Sequence, residues 1–306
     1  MRLRLVHTTR YKYNKYAIDS QNEVRLMPIS DRDQSCLDYR LTIEPSTRIF
    51  SYDLPGGRVH HFSLLSPHNF LFLKSEAVVI TTRSNPFADL QLDVKDVSFY
   101  EDAAKMAPYF DYLAPSQHVP LDPETDRIAH LARKQSGEGT ASFLLALTRL
   151  LHKVMSYEPG STRVDTPLRD VLENRRGVCQ DFAHLMIAIC RRQGIPARYM
   201  SGYLYTGSHL KAEDSANTPW KSDESAQLPT EQLIGGDAMH AWVECLLPDG
   251  VWRGFDPTNN LMADSHYIKV HHGRDYADVV PIRGVYRGIG EHVMEIAVRV
   301  ISEPSE

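Results

Sequence analysis

The stretch Arg176-Gly-Val-Cys-Gln-Asp-Phe-Ala-His-Leu-Met-Ile-Ala-Ile-Cys-Arg-Arg-Gln-Gly-Ile-Pro196 decides how the rest of the chain is read. Phe182, Leu185, Met186, Ile189 and Cys190 recur at the spacing of one buried helical face, and Gly194 and Pro196 end the run. A core helix is therefore predicted over 179–192, with Cys179 in its first turn. The N–H groups there have no acceptor within the helix, and the helix dipole favours negative charge. A thiolate is favoured at that position, and the same amides are placed to hold a developing oxyanion. Arg175 and Arg176 just upstream either add to this positive setting or are ordinary solvated surface residues.

Helices are also predicted over about 123–135, 141–156 and 166–174. The second carries Phe143, Leu144, Leu147, Leu150, Leu151 and Val154 on one face and stops at Glu158-Pro-Gly160. After the Cys179 helix come strand candidates at Ala197–Tyr205, Ala238–Leu247, Val251–Asp256 and Val293–Ile301. Helices first and an antiparallel sheet after is an α+β order. Residues 1 to about 80 read as strands separated by turn clusters such as Leu54-Pro-Gly-Gly57, which predicts an antiparallel β-sandwich at the N-terminus. The boundary is placed near residue 115, dividing the chain into 1–115 and 116–306. The polar stretch from Thr206 to Asp237 is too long for an ordinary connection and is either a lid or, on balance, an insertion.

A nucleophilic thiol needs a base, and the base needs an orienting group. His240 and Asp256 flank the turn signal Pro248-Asp-Gly250. Either hairpin register that this turn permits puts them on one sheet face, directly opposite or one diagonal step apart. An Asp accepting from His Nδ1–H would leave Nε2 toward the thiol. Whether Cys179 meets this pair is a tertiary question that spacing leaves open.

Five ordered blocks then carry a resemblance: Arg176-Gly-Val-Cys-Gln-Asp-Phe-Ala-His184, Gly194-Ile-Pro-Ala-Arg198, Ser201-Gly-Tyr203, His240-Ala-Trp-Val-Glu244 and Phe255-Asp-Pro-Thr258. Together they resemble the core of the bacterial transglutaminase-like superfamily, continued by His272-Gly-Arg-Asp-Tyr-Ala-Asp278. The opening strands, with Val24-Arg-Leu-Met-Pro28, resemble the β domain that often precedes this core. The resemblance implies a papain-like α+β catalytic domain with Cys179, His240 and Asp256 as catalytic residues. It also implies attack on an amide of a peptide or protein and a thioester resolved by water or an amine. A non-catalytic member that only binds peptide or protein is the alternative from another class.

Several features carry blander readings. Cys190 and Cys245 read as core, and His184 as a residue that points away from Cys179 and packs elsewhere. Trp242 either covers the imidazole of His240 or lines the acyl site, unless it is plain core. The adjacent pairs His60-His61 and His271-His272 lack the carboxylate or thiol spacing of a metal site, so neither metal nor cofactor is expected. Four scattered cysteines suggest no disulfide framework. A net charge of −5 without a dense basic block argues against nucleic acid as a partner. The start lacks a signal-like apolar run, and no later run approaches a membrane span, so a cytoplasmic location is the expectation.

Overall fold

The computed structural model describes residues 1–88, 90, 92, 97–207, 234–236 and 238–304. Most of the stretch expected as a lid or insertion, 208–233 together with 237, lies outside the described residues. Two units are built, and the chain's last strands return to the first of them.

The N-terminal unit contains β1 (Arg2–Val24), β2 (Gln34–Glu44), β3 (Ile49–Leu54), β4 (Gly57–Leu64) and β5 (His68–Thr81). β1 is the spine. Its first half, from Arg2 to Lys12, pairs with β5, and its end, from Ser20 to Val24, pairs with β4. Irregular pairing between Lys12 and Ala17 lets one strand serve two arms of a bent sheet. Alternation decides which side is buried: Leu3, Leu5 and His7 point one way along β1. Between the arms, Val24, Phe62 and Leu64 meet Ile43, Leu71 and Leu73 in a closed core.

The second unit begins with the short helices α1 (Val97–Glu101) and α2 (Ala103–Met106) and continues with α3 (Thr125–Lys134) and α4 (Thr140–Val154). β6 (Ser156–Tyr157), α5 (Leu168–Asn174) and β7 (Arg176–Gly177) lead into α6 (Cys179–Arg192). The helix predicted over 179–192 therefore forms with those limits. Its apolar stripe packs against Phe143, Leu144, Leu147 and Leu151 of α4, the two stripes read in the sequence meeting as one core. Each fully buried Leu or Phe in that contact contributes roughly 1.5–3 kcal/mol of transfer free energy before entropy is charged.

Five strands complete the unit: β8 (Ala197–Leu204), β9 (His240–Leu246), β10 (Trp252–Asp256), β11 (Leu261–Met262) and β12 (Tyr267–Gly273). They lie in the antiparallel order β11-β10-β9-β8-β12. β9 is central and buried along its whole length, and α6 packs across β8 and β9. The strand over 267–273 was not among the expected sheet members.

After α7 (Tyr276–Val279) come β13 (Ile282–Arg287) and β14 (His292–Glu303). The strand expected at Val293–Ile301 does form, but in the other sheet: β14 pairs with β1 from Arg2 to Tyr13, and β13 pairs with the end of β1. This corrects its expected placement in the sheet of the second unit. Alternating residues specify a strand and its buried face, and Val298 and Val300 find their apolar partners in Leu3 and Leu5. Consequently a single cut near residue 115 does not separate the units.

An apolar contact and an ionic latch join them. Leu3, Leu5, Ala77 and Val79 meet Tyr203, Ile268 and Val270. Beside this contact, Lys269 Nζ reaches Asp31 at 2.7 Å and Glu244 at 2.9 Å, and Glu244 is also held by Arg198 at 2.6 Å. Burial would raise the Glu244 pKa, but these two cations hold it down at about 2. Removing one cation from a buried cluster leaves its carboxylates uncompensated. Lys269→Met is therefore expected to lower unfolding stability by about 3 kcal/mol in urea titration at pH 7. An unchanged midpoint and slope would contradict the role given to this lysine.

Candidate active site

Cys179 opens α6 because the turn before it is held from inside the helix. Asp181 folds its carboxylate back to accept from the amide of Val178 at 2.8 Å and from Thr162 Oγ1 at 2.6 Å. Gly177 makes room for this, since a Cβ there would meet Asp181 Oδ2 at 2.5 Å. Cys179 is left partly exposed at the floor of a cavity of about 380 Å³, with its amide at the first helical position. Arg175 caps α5 in a left-handed conformation with φ 52°, and Arg176 turns toward Glu158 at 3.7 Å. Neither lines the cavity, so their surface reading is the one the geometry supports.

His240 and Asp256 are brought together by strand register. β9 and β10 pair Phe255 with Val243 and Gly254 with Glu244, which carries Asp256 to a position opposite Trp242 and one diagonal step from His240. The carboxylate and imidazole meet at 2.7 Å, from His240 Nε2 to Asp256 Oδ2. Both are buried, at 1% and 0% exposure.

The nitrogen used corrects the expected tautomer. Asp256 takes Nε2, leaving Nδ1 with no partner oxygen or nitrogen among the described residues. Nδ1 is the ring nitrogen nearer the main chain. The carboxylate one strand away meets the far edge, and α6, whose first residue is Cys179, packs on β9. Cys179 contributes to raising the His240 pKa, and both residues line the same cavity, with Nδ1 the ring nitrogen that Asp256 leaves unpartnered. Gly235, at φ 109°, packs close to this edge of the ring and could carry no side chain there: a Cβ would stand 2.5 Å from Nδ1.

The rest of the site went unread in the sequence. Asp256 Oδ1 accepts from the amides of Thr258 at 2.9 Å and Asn259 at 3.2 Å. Oδ2 accepts from Asn259 Nδ2 and from Tyr267 Oη, both at 2.8 Å, as well as from His240. Asn259 also grips the backbone of Ile234 in both directions, at 2.9 and 3.1 Å, and so fixes the segment that carries Gly235. Asp256-Pro-Thr-Asn259 has the sequence character of an Asx turn, which is the signal that could have found Asn259. Tyr267 had none, since its strand comes from a separate part of the chain.

Trp242 is core and also covers the imidazole, fully buried in an apolar cluster with Met200, Leu204, Ala263 and Tyr267. Its ring stacks on His240 with centroids 6.1 Å apart and does not line the cavity. His184 stands elsewhere, accepting from the amide of Tyr276 at 3.1 Å and stacking on His118. Burial depresses its pKa to about 3, which keeps it neutral. Cys190 and Cys245 are buried core thiols with sulfurs 3.7 Å apart.

Electrostatics oppose one another at His240. Burial alone would favour the neutral ring, but the Asp256 carboxylate and then Cys179 outweigh it and raise the pKa to about 10. Asp256 shifts in the complementary direction: burial raises its pKa, and His240, Asn259 and Tyr267 bring it below the ordinary value. A histidine whose pKa is higher folded than unfolded stabilises the fold fully below its unfolded value, 6.5, and loses that contribution as pH rises through about 10. In Asp256→Asn the countercharge is gone and so is this contribution. The stability gap between the wild type and Asp256→Asn is expected to be widest near pH 6 and to narrow steadily toward pH 10, by denaturant titration at each pH. A gap that stays constant or widens would contradict the charged pair.

Comparison with known proteins agrees with this architecture. Residues 129–257 match the model of the transglutaminase-like superfamily, and residues 3–80 match the bacterial transglutaminase-like N-terminal region. An uncharacterized protein of Mycobacterium leprae is 32% identical over 306 residues, covering 98% of both chains. One from Mycobacterium tuberculosis is 33% identical over 311 residues, covering 98% of this chain and 92% of the relative. In three dimensions the chain is similar to a candidate cysteine protease from Cytophaga hutchinsonii, at TM-score 0.68 and 22% identity over 100% of this chain and 92% of that one. That likeness speaks to fold alone. Matched in chain order through both of its structural units, this chain belongs to the transglutaminase-like superfamily and carries the bacterial N-terminal region of that family.

Proposed function

We propose that Cys179, His240 and Asp256 form one acyl-transfer site acting on an amide, either a peptide bond or a glutamine carboxamide. The superfamily is one of cysteine-based acyl transfer and hydrolysis, which supports the reaction class. The observation that carries the reading to these residues is the buried imidazole with its two nitrogens divided, Nε2 on a carboxylate and Nδ1 without a partner, in a cavity that Cys179 also lines.

The chemistry follows from that division. With its pKa raised to about 10, His240 enters the reaction as an imidazolium that carries the proton given up by the thiol, and Asp256 stabilises it through Nε2. The thiolate adds to the amide carbonyl, and the oxygen, now negative, lies near the first-turn amides of α6. The imidazolium returns its proton to the departing amine or ammonia, leaving a thioester on Cys179. Water or a primary amine, deprotonated by His240, then opens the thioester and regenerates the thiol. A cleft used only for binding has no need of a buried ion pair beside the thiol, so the non-catalytic alternative leaves the costliest feature of the site unexplained.

A glutamine-containing peptide library, incubated with and without a labelled primary amine and read by mass, separates the outcomes. Label incorporation with loss of ammonia marks transfer, conversion of glutamine to glutamate marks deamidation, and cleavage fragments mark proteolysis. Cys179→Ala is expected to abolish whichever product the wild type forms, and Asp256→Ala to lower kcat by about 10³–10⁴. Undiminished product formation by Cys179→Ala would refute the assignment.

A further inference from the structure

The cavity above Cys179 has walls from both ends of the chain. Cys179, His240, Tyr199 and Tyr276 form one side, and Tyr11 of β1 with Met294 and Ile296 of β14 face them. The facing residues share one ladder, in which Tyr11 pairs with Met294 and Thr9 with Ile296. Farther along the same face, Val298 and Val300 are sealed in the contact between the units. Toward the cavity the seal ends, and Met294 and Ile296 are each 49% exposed.

Apart from the His240 ring that Asp256 balances, the described lining carries no charge. Among the described residues around this cavity there is no Asp, Glu, Lys or Arg. Its second histidine, His7, is tied to Tyr203 at 2.8 Å and to Thr9 at 2.9 Å, and burial keeps it neutral with a pKa of about 4. A charged group entering here would shed hydration and, among the described residues, meet no charge beyond the His240–Asp256 pair that already balances itself, whereas an apolar group would cover Met294 and Ile296. A volume of about 380 Å³ sits at the lower end of the roughly 300–1,000 Å³ of small-molecule sites. It suits an amide and a neighbouring side chain rather than a folded surface.

We infer that the site selects an amide flanked by an uncharged apolar or aromatic side chain, seated against Met294 and Ile296, so that the substrate class is a hydrophobic peptide segment. This rests on Cys179 being the nucleophile. The N-terminal sheet thereby supplies specificity to a thiol that lies on the other unit, which accounts for β14 crossing back to pair beside β1.

Two thiol reagents of the same chemistry test this on the intact chain: iodoacetamide and N-benzyl iodoacetamide, with alkylation of Cys179 and Cys36 followed by peptide mass. The ratio of benzyl to plain rate is expected to be about tenfold or more higher at Cys179 than at Cys36. Ile296→Asp and Met294→Asp, each placed on a half-exposed side chain, are expected to bring the Cys179 ratio down to that of Cys36. Equal ratios in the wild type, or a preference that survives both substitutions, would overturn the inference while leaving the nucleophile in place. Plain iodoacetamide reacting no faster at Cys179 than at Cys36 would instead overturn the proposed nucleophile, and the inference with it.

Discussion

The hydrogen bond between Asp256 and His240 is the constraint on which the second unit depends. A carboxylate with no exposed surface is expensive to bury unless its oxygens are satisfied. Here five donors converge on it, from a turn, from the start of β12 and from the imidazole. Meeting them requires β10 to end at Asp256 and turn at once, β9 to lie in the register that offers His240 diagonally, and β12 to present Tyr267. The sheet around the site is thus specified by charge as well as by apolar burial.

That constraint also divides labour within the chain. α6 delivers the thiol to a fixed imidazole, and the helix is set by its own stripe and by Asp181 folding back over its first turn. The N-terminal sheet brings no residue to the His240–Asp256 pair and instead contributes Tyr11, Met294 and Ile296 to the wall of the cavity. Its alignment is maintained by the apolar seam and by Lys269, whose Glu244 partner lies on the same strand as His240. A displacement of the sheet would be felt at the imidazole through that strand.

The sequence made some of this legible for identifiable reasons. Cys179 was readable because a helix announces itself by period and its first turn has intrinsic chemistry. The His240 and Asp256 pairing was readable because a hairpin turn limits register, and both permitted registers led to contact. The nitrogen choice was not readable, since strand register fixes which residues meet and not which edge of the ring the carboxylate reaches. Nor was the sheet membership of Val293–Ile301, because alternation specifies a face and leaves the partner open. Asn259 and Tyr267 were missed for a related reason: their role is to satisfy a buried acceptor, which has no sequence period. The cavity's uncharged wall is assembled from residues near 10, 240 and 295 and exists only after folding.

The central claim is that the thiol of Cys179 is activated by the imidazole that Asp256 holds. The most direct measurement is the second-order rate of Cys179 alkylation by iodoacetamide at pH 7 in the wild type and in His240→Ala. The account predicts a rate in the wild type at least about tenfold above that of the variant, with Cys36 reacting alike in both as an internal control. Equal Cys179 rates in the two proteins would show that thiol and imidazole are neighbours without being partners.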